Sequence, residues 1–393
     1  MKVLQINCDC EFGSTGGVVR GIYKEVIERG GECLCLYGRL RDFDDINSFR
    51  IASRGNVYFN AFMNRICDND GFGMKKNHKK LVAILNEFRP DIIQLHNVHG
   101  YYMNVELLFD EIRKHDIPVV WTLHDCWALT GHCAYFDYAG CNKWKTGCGG
   151  CIQLKEYPKT FFDQTQKNYI KKKKVFTSLQ NLHIITPSNW LAGLVSESYL
   201  AAYPVSVINN GIDLSKFTPK PQEKHHEEIR ILGVANTWDK RKGVNTFYKL
   251  SQSVDERYKI TMVGFVPEEI KKKLSKNIRI VERTENQKDL IELYQWADVF
   301  LNPTLEDNFP TTNLEAMACG TPVITFGNGG SAECLNEECG FVVRQDDIEA
   351  IKDYAEKVTQ DSGLFSQKCV ERAASFDMKT CYEKYMNLYQ QLI

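Results

Sequence analysis

The chain contains no apolar run approaching the roughly 18–20 residues a helix needs to cross a bilayer, so no spanning segment is expected. Its amino terminus, MKVLQINCDCEF, lacks the long apolar core of a signal peptide and reads as a first strand. Internal repeats and low-complexity segments are missing as well. So is an excess of charge of either sign. Lys plus Arg number 49 and Asp plus Glu 50, which gives no argument for a nucleic-acid partner. These absences together lead to the expectation of a cytoplasmic protein.

What is present is ordinary globular composition, 43% hydrophobic and 25% charged, over 393 residues. At roughly 100–200 residues per domain, that length favours two domains. In a reducing cytosol the 15 cysteines are mostly free thiols, and Cys33, Cys35, Cys319 and Cys369 lie inside apolar patterns as core filler. Basic clusters at Lys75–Lys80 and Lys171–Lys174 read either as solvated helix faces or as a surface for anionic lipid or an anionic acceptor.

Short β-branched runs alternate with helical patterns. Strands are expected over Lys2–Cys8, Glu32–Tyr37, Asp91–Asn97, Val119–Asp125, Leu182–Pro187 and Val205–Asn210, with helices over Gly17–Arg29 and Asn104–Lys114. The pattern restarts with strands over Ile229–Ala235, Lys259–Gly264, Ile278–Glu282, Val299–Asn302 and Val323–Phe326. Helices are expected over Gly243–Val254, Gln287–Ala297 and Pro310–Cys319, and the tail from Asp347 reads as helical. The implied fold class is α/β, with two doubly wound parallel-sheet domains. The expected boundaries are 1–208 for the first domain, 209–228 for a polar linker, 229–375 for the second domain and 376–393 for a terminal helix returning to the first. Ligands of such sheets bind beyond the carboxyl ends of the strands, so the loops holding His96, His124, Asn236, Gly264 and Asp307 are expected to face one cleft.

Two loops carry chemistry together. In GVANTWDKRKGVNTF a strand ends near Asn236, and Lys240, Arg241 and Lys242 precede Gly243 and a helix start, where amides already favour an anion. In LNPTLEDNFPTTNLEAMACGTPVITFG, Pro310 suits the first helical position, and the amides of Thr311, Thr312 and Asn313 point out of the helix start. An unpaired Glu315 has no use in a core helix, because burying a lone charge is costly. A diphosphate near Lys242, a ribose on Glu315 and a hexose near Asp307 together describe a nucleotide sugar.

These motifs, with NNGID near residue 210 and Gly329, Gly330 and Glu333 as GG-x-x-E, resemble the retaining glycosyltransferases of family 4, on the GT-B fold. The register that keeps the family's paired acids places Asp307 first and Glu315 second, with Glu306 adjacent. Asn236 stands where the family usually has Arg, and Arg241 is the compensating cation. The resemblance implies that GSTGGVVRG, Gly13 to Gly21, is a glycine-rich loop before the first helix, with Gly16 and Gly17 near donor phosphate. It also implies that His124, ending WTLHD, holds the donor sugar, with His96, His99, Tyr101 and Asp125 toward the acceptor; Gly264 would lie on the donor side. The catalytic set is then His124, Lys242, Asp307 and Glu315. The implied reaction moves a hexose-type sugar from a nucleoside diphosphate sugar to an acceptor hydroxyl, with retention and without a required divalent ion.

The stretch TGHCAYFDYAGCNKWKTGCGGC places Cys133, Cys141, Cys148 and Cys151 close together inside an insert over 126–151. Four thiols with one Cys-x-x-Cys suit a structural Zn²⁺, with His132 and Cys126 as substitutes; four free thiols are the other reading. The segment resembles family 4 enzymes of bacterial exopolysaccharide and capsule assembly, including colanic-acid glycosyltransferases. Such enzymes imply a lipid-linked saccharide acceptor and peripheral contact with an anionic membrane at the inner face. Two rival functions stand beside this one: a nucleotide-sugar 2-epimerase and a non-catalytic sugar-nucleotide-binding protein.

Overall fold

The computed structural model describes residues 1–10, 13–39, 46–219 and 227–393; residues 220–226 of the expected linker lie outside the described residues. The chain forms two compact units, one of Met1–Asn209 with Cys381–Ile393 and one of Asn210–Thr380.

The first unit holds seven parallel strands: β1 (Lys2–Ile6), β2 (Glu32–Tyr37), β3 (Ser48–Arg50), β4 (Ile92–Leu95), β5 (Val119–Thr122), β6 (Leu182–Thr186) and β7 (Val205–Val207). They are ordered β3-β2-β1-β4-β5-β6-β7. Helices α1 (Gly13–Glu28), α2 (Arg54–Cys67), α3 (His78–Phe88), α4 (Val105–His115), α5 (Thr165–Phe176) and α6 (Asn189–Ser196) connect them. β4 and β5 are buried along their whole length, as parallel strands covered on both faces must be, which is why IIQL and VVWT read as continuous apolar runs. The polar exceptions are satisfied internally: Gln5 Nε2 donates to the Val19 carbonyl at 3.0 Å and Gln94 Nε2 to Thr122 Oγ1 at 3.0 Å.

The second unit has six parallel strands: β8 (Ile229–Thr237), β9 (Tyr258–Phe265), β10 (Ile278–Val281), β11 (Val299–Asn302), β12 (Val323–Phe326) and β13 (Gly340–Val343). Their order is β10-β9-β8-β11-β12-β13. Helices α7 (Val244–Ser253), α8 (Glu268–Lys271), α9 (Gln287–Trp296), α10 (Thr311–Ala318), α11 (Ile348–Gln360) and α12 (Ser362–Ala374) accompany them. Both orders run outward in both directions from the unit's first strand, so each sheet is doubly wound as expected. Residues 210–219, inside the expected linker, pack into the second unit. Ile212 and Phe217 are buried there, and Ile212 exchanges backbone hydrogen bonds with Phe376 and Met378.

Two features differ from the sequence reading. The edge strands β3 and β13 and the helices α2 and α8 were not anticipated, and α3 and α5 were foreseen only as solvated basic faces. The stretch Gly13–Gly21 is not a loop before the first helix but the first turns of α1 itself. Val18, Val19, Ile22 and Val26 form one buried stripe of helical period, and the helical backbone reaches back to Gly13, whose φ of 71° marks the boundary. Gly16 is buried in α1 and Gly17 is exposed.

The terminal helix α13 (Met378–Leu392) contributes Cys381–Ile393 to the first unit. Tyr389 Oη donates to Gln94 Oε1 at 2.7 Å, and Tyr385 Oη lies 3.2 Å from Thr122 Oγ1. Tyr382 packs flat on α1 at Gly21, where a Cβ would come within 1.8 Å of a ring carbon. Replacing Gly21 with Val is therefore expected to destabilise the chain by about 1–3 kcal/mol, read as a lower denaturant midpoint at constant slope. An unchanged midpoint would show that α13 is not held through this contact.

Candidate active site

The sequence-predicted residues gather in two neighbourhoods, one at the carboxyl ends of each unit's strands. In the second unit, β8 shifts register between Val234 and Thr237 and leaves Asn236 exposed. Gly264, at φ 119°, lets β9 pass so near the Ala235 carbonyl that a Cβ would sit 1.7 Å from its oxygen. The following loop is pinned from both sides. Asp239 Oδ1 accepts from the Lys242 amide at 2.8 Å, and Gly243, at φ 76°, rests against the Pro303 carbonyl. The Leu305 amide donates to the Arg241 carbonyl at 2.7 Å, and Arg241 Nη1 donates to the Glu306 carbonyl at 2.8 Å.

That clamp brings Lys242 Nζ to 2.5 Å from Asp307 Oδ2, with the two side chains 23% and 16% exposed. Burial alone would raise Asp307, but the Lys242 and Arg241 cations outweigh it and hold the carboxyl below its usual range. The Asp307 carbonyl accepts from the Gly330 amide at 2.9 Å, and Gly329 packs against it at φ 62°. The GG-x-x-E segment thus forms the floor under Asp307.

Pro310 caps α10, whose first-turn amides at Thr311 and Thr312 have no carbonyl one turn earlier to bond. Glu315, half-buried one turn in, accepts from Tyr294 Oη of α9 at 2.8 Å. Burial raises its carboxyl above the usual range, and the Tyr294 and Thr311 hydroxyls partly offset the rise. A carboxylate already served by hydroxyls is chemically suited to accept more. Tyr294 was missed: it lies 21 residues from Glu315, and only the packing of α9 on α10 joins them.

Two expectations here are corrected. Glu306 is fully buried, so Asp307 is the acid of the pair that faces outward. Asn313 is fully buried and committed: its Oδ1 accepts from Asn302, its Nδ2 donates to the Ser331 carbonyl, and its amide donates to the Pro310 carbonyl. It ties α10 to β11 and offers nothing to a ligand.

In the first unit a histidine–carboxylate chain runs across the ends of β1, β4 and β5. His96 Nδ1 lies 3.0 Å from His124 Nε2 in a stacked pair, and His96 Nε2 lies 3.2 Å from Gln5 Oε1. His96 is 1% exposed, with both ring nitrogens engaged. His99 Nε2 bonds Asp125 Oδ2 at 2.9 Å and His99 Nδ1 lies 3.0 Å from Tyr157 Oη, which likewise occupies both nitrogens. Asp125 also accepts from the Trp127 amide at 2.9 Å. The Tyr101 backbone, at φ 71°, is fixed by Asp70, whose carboxylate accepts from the Gly100 and Tyr101 amides. His96, His99, His124 and Asp125 line one small depression. Burial lowers His96 far below its usual range and His124 to about 4, Asp125 partly opposing the shift at His124. Gln5 and Tyr157 carried no sequence signal, being an ordinary strand residue and an ordinary loop tyrosine.

In this structure Cys133, Cys141, Cys148 and Cys151 are free thiols. Among the described residues no group of three or more His, Cys, Asp and Glu side chains is arranged to hold a metal ion. Cys133 and Cys151 instead hydrogen-bond to each other, which raises Cys133 and lowers Cys151. Cys148 Sγ accepts from the Gly131 amide at 3.2 Å, and Cys141 is half-buried. Beneath this loop Lys172 is buried against the Trp127 ring, donates to the Trp127 carbonyl at 2.9 Å, and is pulled down to about 7 by burial.

Comparison with known proteins bears on both units. Residues 18–216 match the family model described as Glycosyltransferase Family 4, and residues 228–361 that described as Glycosyl transferases group 1. An Escherichia coli protein named as a colanic acid biosynthesis glycosyl transferase is 24% identical over the full length of both chains. A second E. coli relative, named as a UDP-Gal:alpha-D-GlcNAc-diphosphoundecaprenol alpha-1,3-galactosyltransferase, is 24% identical over 51% of this chain and 57% of its own. Among solved structures, sucrose-phosphate synthase from Thermosynechococcus elongatus superposes with TM-score 0.73 at 16% identity, covering 100% and 98% of the two chains. An Anabaena protein solved in complex with UDP-glucose superposes with TM-score 0.70 at 14% identity, covering both chains fully. The expected GT-B fold is the fold these neighbours share.

His124 yields a pH prediction. Its folded-state value of about 4 lies below the ordinary 6.5, so its contribution to stability is fully present above pH 6.5 and is lost as pH falls toward 4. The melting midpoint should therefore drop more between pH 7 and pH 4.5 in the wild type than in a His124→Gln variant. An imidazole resonance of His124 titrating near its ordinary value would contradict this.

Proposed function

The chain belongs to glycosyltransferase family 4, and from that premise we propose that it transfers a hexose-type sugar from a nucleoside diphosphate sugar, with retention, to a saccharide hydroxyl. The observation that carries the reading is the Lys242–Asp307 pair at the mouth of β11, beside the α10 start and one turn from Glu315. Lys242 and the first amides of α10 supply positive charge for a diphosphate, and stabilise the charge that grows on it as the sugar leaves. Glu315, held by Tyr294 and Thr311, accepts from adjacent ribose hydroxyls, while Asp307 orients Lys242 and accepts from the sugar. Asn236, Gly264, Arg241, Thr311 and Thr312 complete the donor side. In the first unit His124, kept neutral and oriented by His96, is offered to the donor sugar, with the His99–Asp125 pair on the acceptor side. This arrangement supplies its own cations at the leaving group.

The likeness to enzymes named for colanic acid synthesis and for a diphosphoundecaprenol acceptor supports a lipid-linked saccharide of surface polysaccharide as acceptor. In this reading the protein works peripherally at an anionic membrane face. No helix among the described residues is long and apolar enough to cross one.

A thermal-shift panel of nucleoside diphosphates and their sugars tests the donor side, since a ligand bound only by the folded state raises its melting midpoint. At least one is expected to stabilise the wild type and to lose that effect in Lys242→Ala. Both Lys242→Ala and Glu315→Gln are expected to lower kcat/KM by about 100-fold or more, Glu315→Gln at an unchanged melting midpoint without ligand. Clean epimerisation of the sugar nucleotide in the absence of acceptor would replace transfer with isomerisation. Ligand binding with turnover indifferent to Glu315→Gln would remove catalysis from this site.

A further inference from the structure

We propose that the face formed by α2 and the adjoining residues 160–162 docks the first unit onto an anionic lipid surface. Helix α2 is unusual in its burial: of its 14 residues only Asn64 is buried. Tyr58, Phe59, Phe62 and Ile66 are 74%, 60%, 61% and 43% exposed, and their spacing of one, four and eight residues from Tyr58 sets them along one side of the helix. A second pair is fastened beside the end of α2. The Phe161 amide donates to the Arg65 carbonyl at 2.8 Å, Thr160 Oγ1 to the same carbonyl at 3.3 Å, and Asn64 Nδ2 to the Lys159 carbonyl at 3.2 Å. Those bonds hold Phe161 and Phe162 outward, 75% and 57% exposed. Apolar side chains exposed together on this scale mark an interaction surface.

Charge decides the partner. α2 carries Arg54 and Arg65 and no carboxylate; residues 71–80 carry four lysines and none; α5 carries five lysines and none. Lys75, Lys76, Lys79, Lys80, Lys171, Lys173 and Lys174 are exposed. The acids between these stretches are turned inward: Asp68 pairs with His132 and Asp70 receives the Gly100 and Tyr101 amides. Asp163, exposed nearby, is committed to the Cys151 and Thr165 amides. Aromatic side chains flanked by exposed cations match the boundary between anionic headgroups and acyl chains. A second copy of the chain is a poor match, because pairing this face with itself sets lysine against lysine. The surface also leads back to the site, since Tyr157, which bonds His99, is four residues before Phe161.

The inference rests on the reading that the acceptor is lipid-linked, and its test is separable from that reading. The full chain is sedimented with vesicles of phosphatidylcholine alone and of phosphatidylcholine mixed with phosphatidylglycerol. Binding is expected only with the anionic lipid, and is expected to weaken as salt rises. The double variants Phe59→Ser/Phe62→Ser and Phe161→Ser/Phe162→Ser should each lower vesicle affinity about tenfold or more. Lys79→Glu/Lys80→Glu should lower it about tenfold at low salt. All three should keep the wild-type melting midpoint and its response to nucleoside diphosphates. No vesicle binding by the wild type, equal binding by the aromatic variants, or wild-type dimers that the same substitutions disperse would each overturn the proposal. Vesicle binding without any nucleotide response would leave this surface standing and remove the transferase reading; the opposite pattern would remove the surface alone.

Discussion

The Lys242–Asp307 ion pair is the interaction around which the second unit's site is organised. A carboxylate 16% exposed at the end of a parallel strand is stable only with a cation beside it, and Lys242 reaches Asp307 only because the loop after β8 is fastened to the segment after β11. The fastening is made of backbone and guanidinium hydrogen bonds, so the two charges are placed by the chain path and not by flexible side chains seeking each other. Gly243 and Gly329 are required on either side because the Pro303 and Asp307 carbonyls approach where a Cβ would stand. The positive charge is therefore fixed before a ligand arrives, which is the condition under which a cation stabilises a leaving group without first reorganising.

The first unit solves a different problem. It places imidazole rings at strand ends, holds His96 and His124 below their usual range by burial, and gives both nitrogens of His96 and of His99 a defined partner. His96 and His99 read from the sequence as residues toward an acceptor, and in the structure both nitrogens of each ring are engaged. The pocket's exposed chemistry is correspondingly narrow. Lys172, buried under Trp127 and bonded to its carbonyl, braces the loop that begins at Asp125 from below.

Much of the fold could be read from the chain because parallel strands covered on both faces appear as uninterrupted apolar runs, and the helices between them keep a 3.6-residue stripe. The edge strands Ser48–Arg50 and Gly340–Val343 escaped because three or four residues at an edge leave too little pattern. The loop over Gly13–Gly21 was implied by the family resemblance, whereas the apolar period that predicted a helix from Gly17 is the buried stripe from Val18 to Val26, and the helix extends back to Gly13.

Spacing in the sequence pointed to two parallel-sheet halves, the candidate acids Asp307 and Glu315 and the cation Lys242, and the resemblance to family 4 added the strand-end histidine His124. These are local features, each set by residues within a loop or a helical turn of one another. Which acid of Glu306 and Asp307 faces outward, that Asn313 is spent on β11 and that Tyr294 serves Glu315 were decided by tertiary structure. Burial and hydrogen-bond commitment depend on neighbours distant in the chain, and a side chain's availability for chemistry is what remains after those neighbours have taken their share.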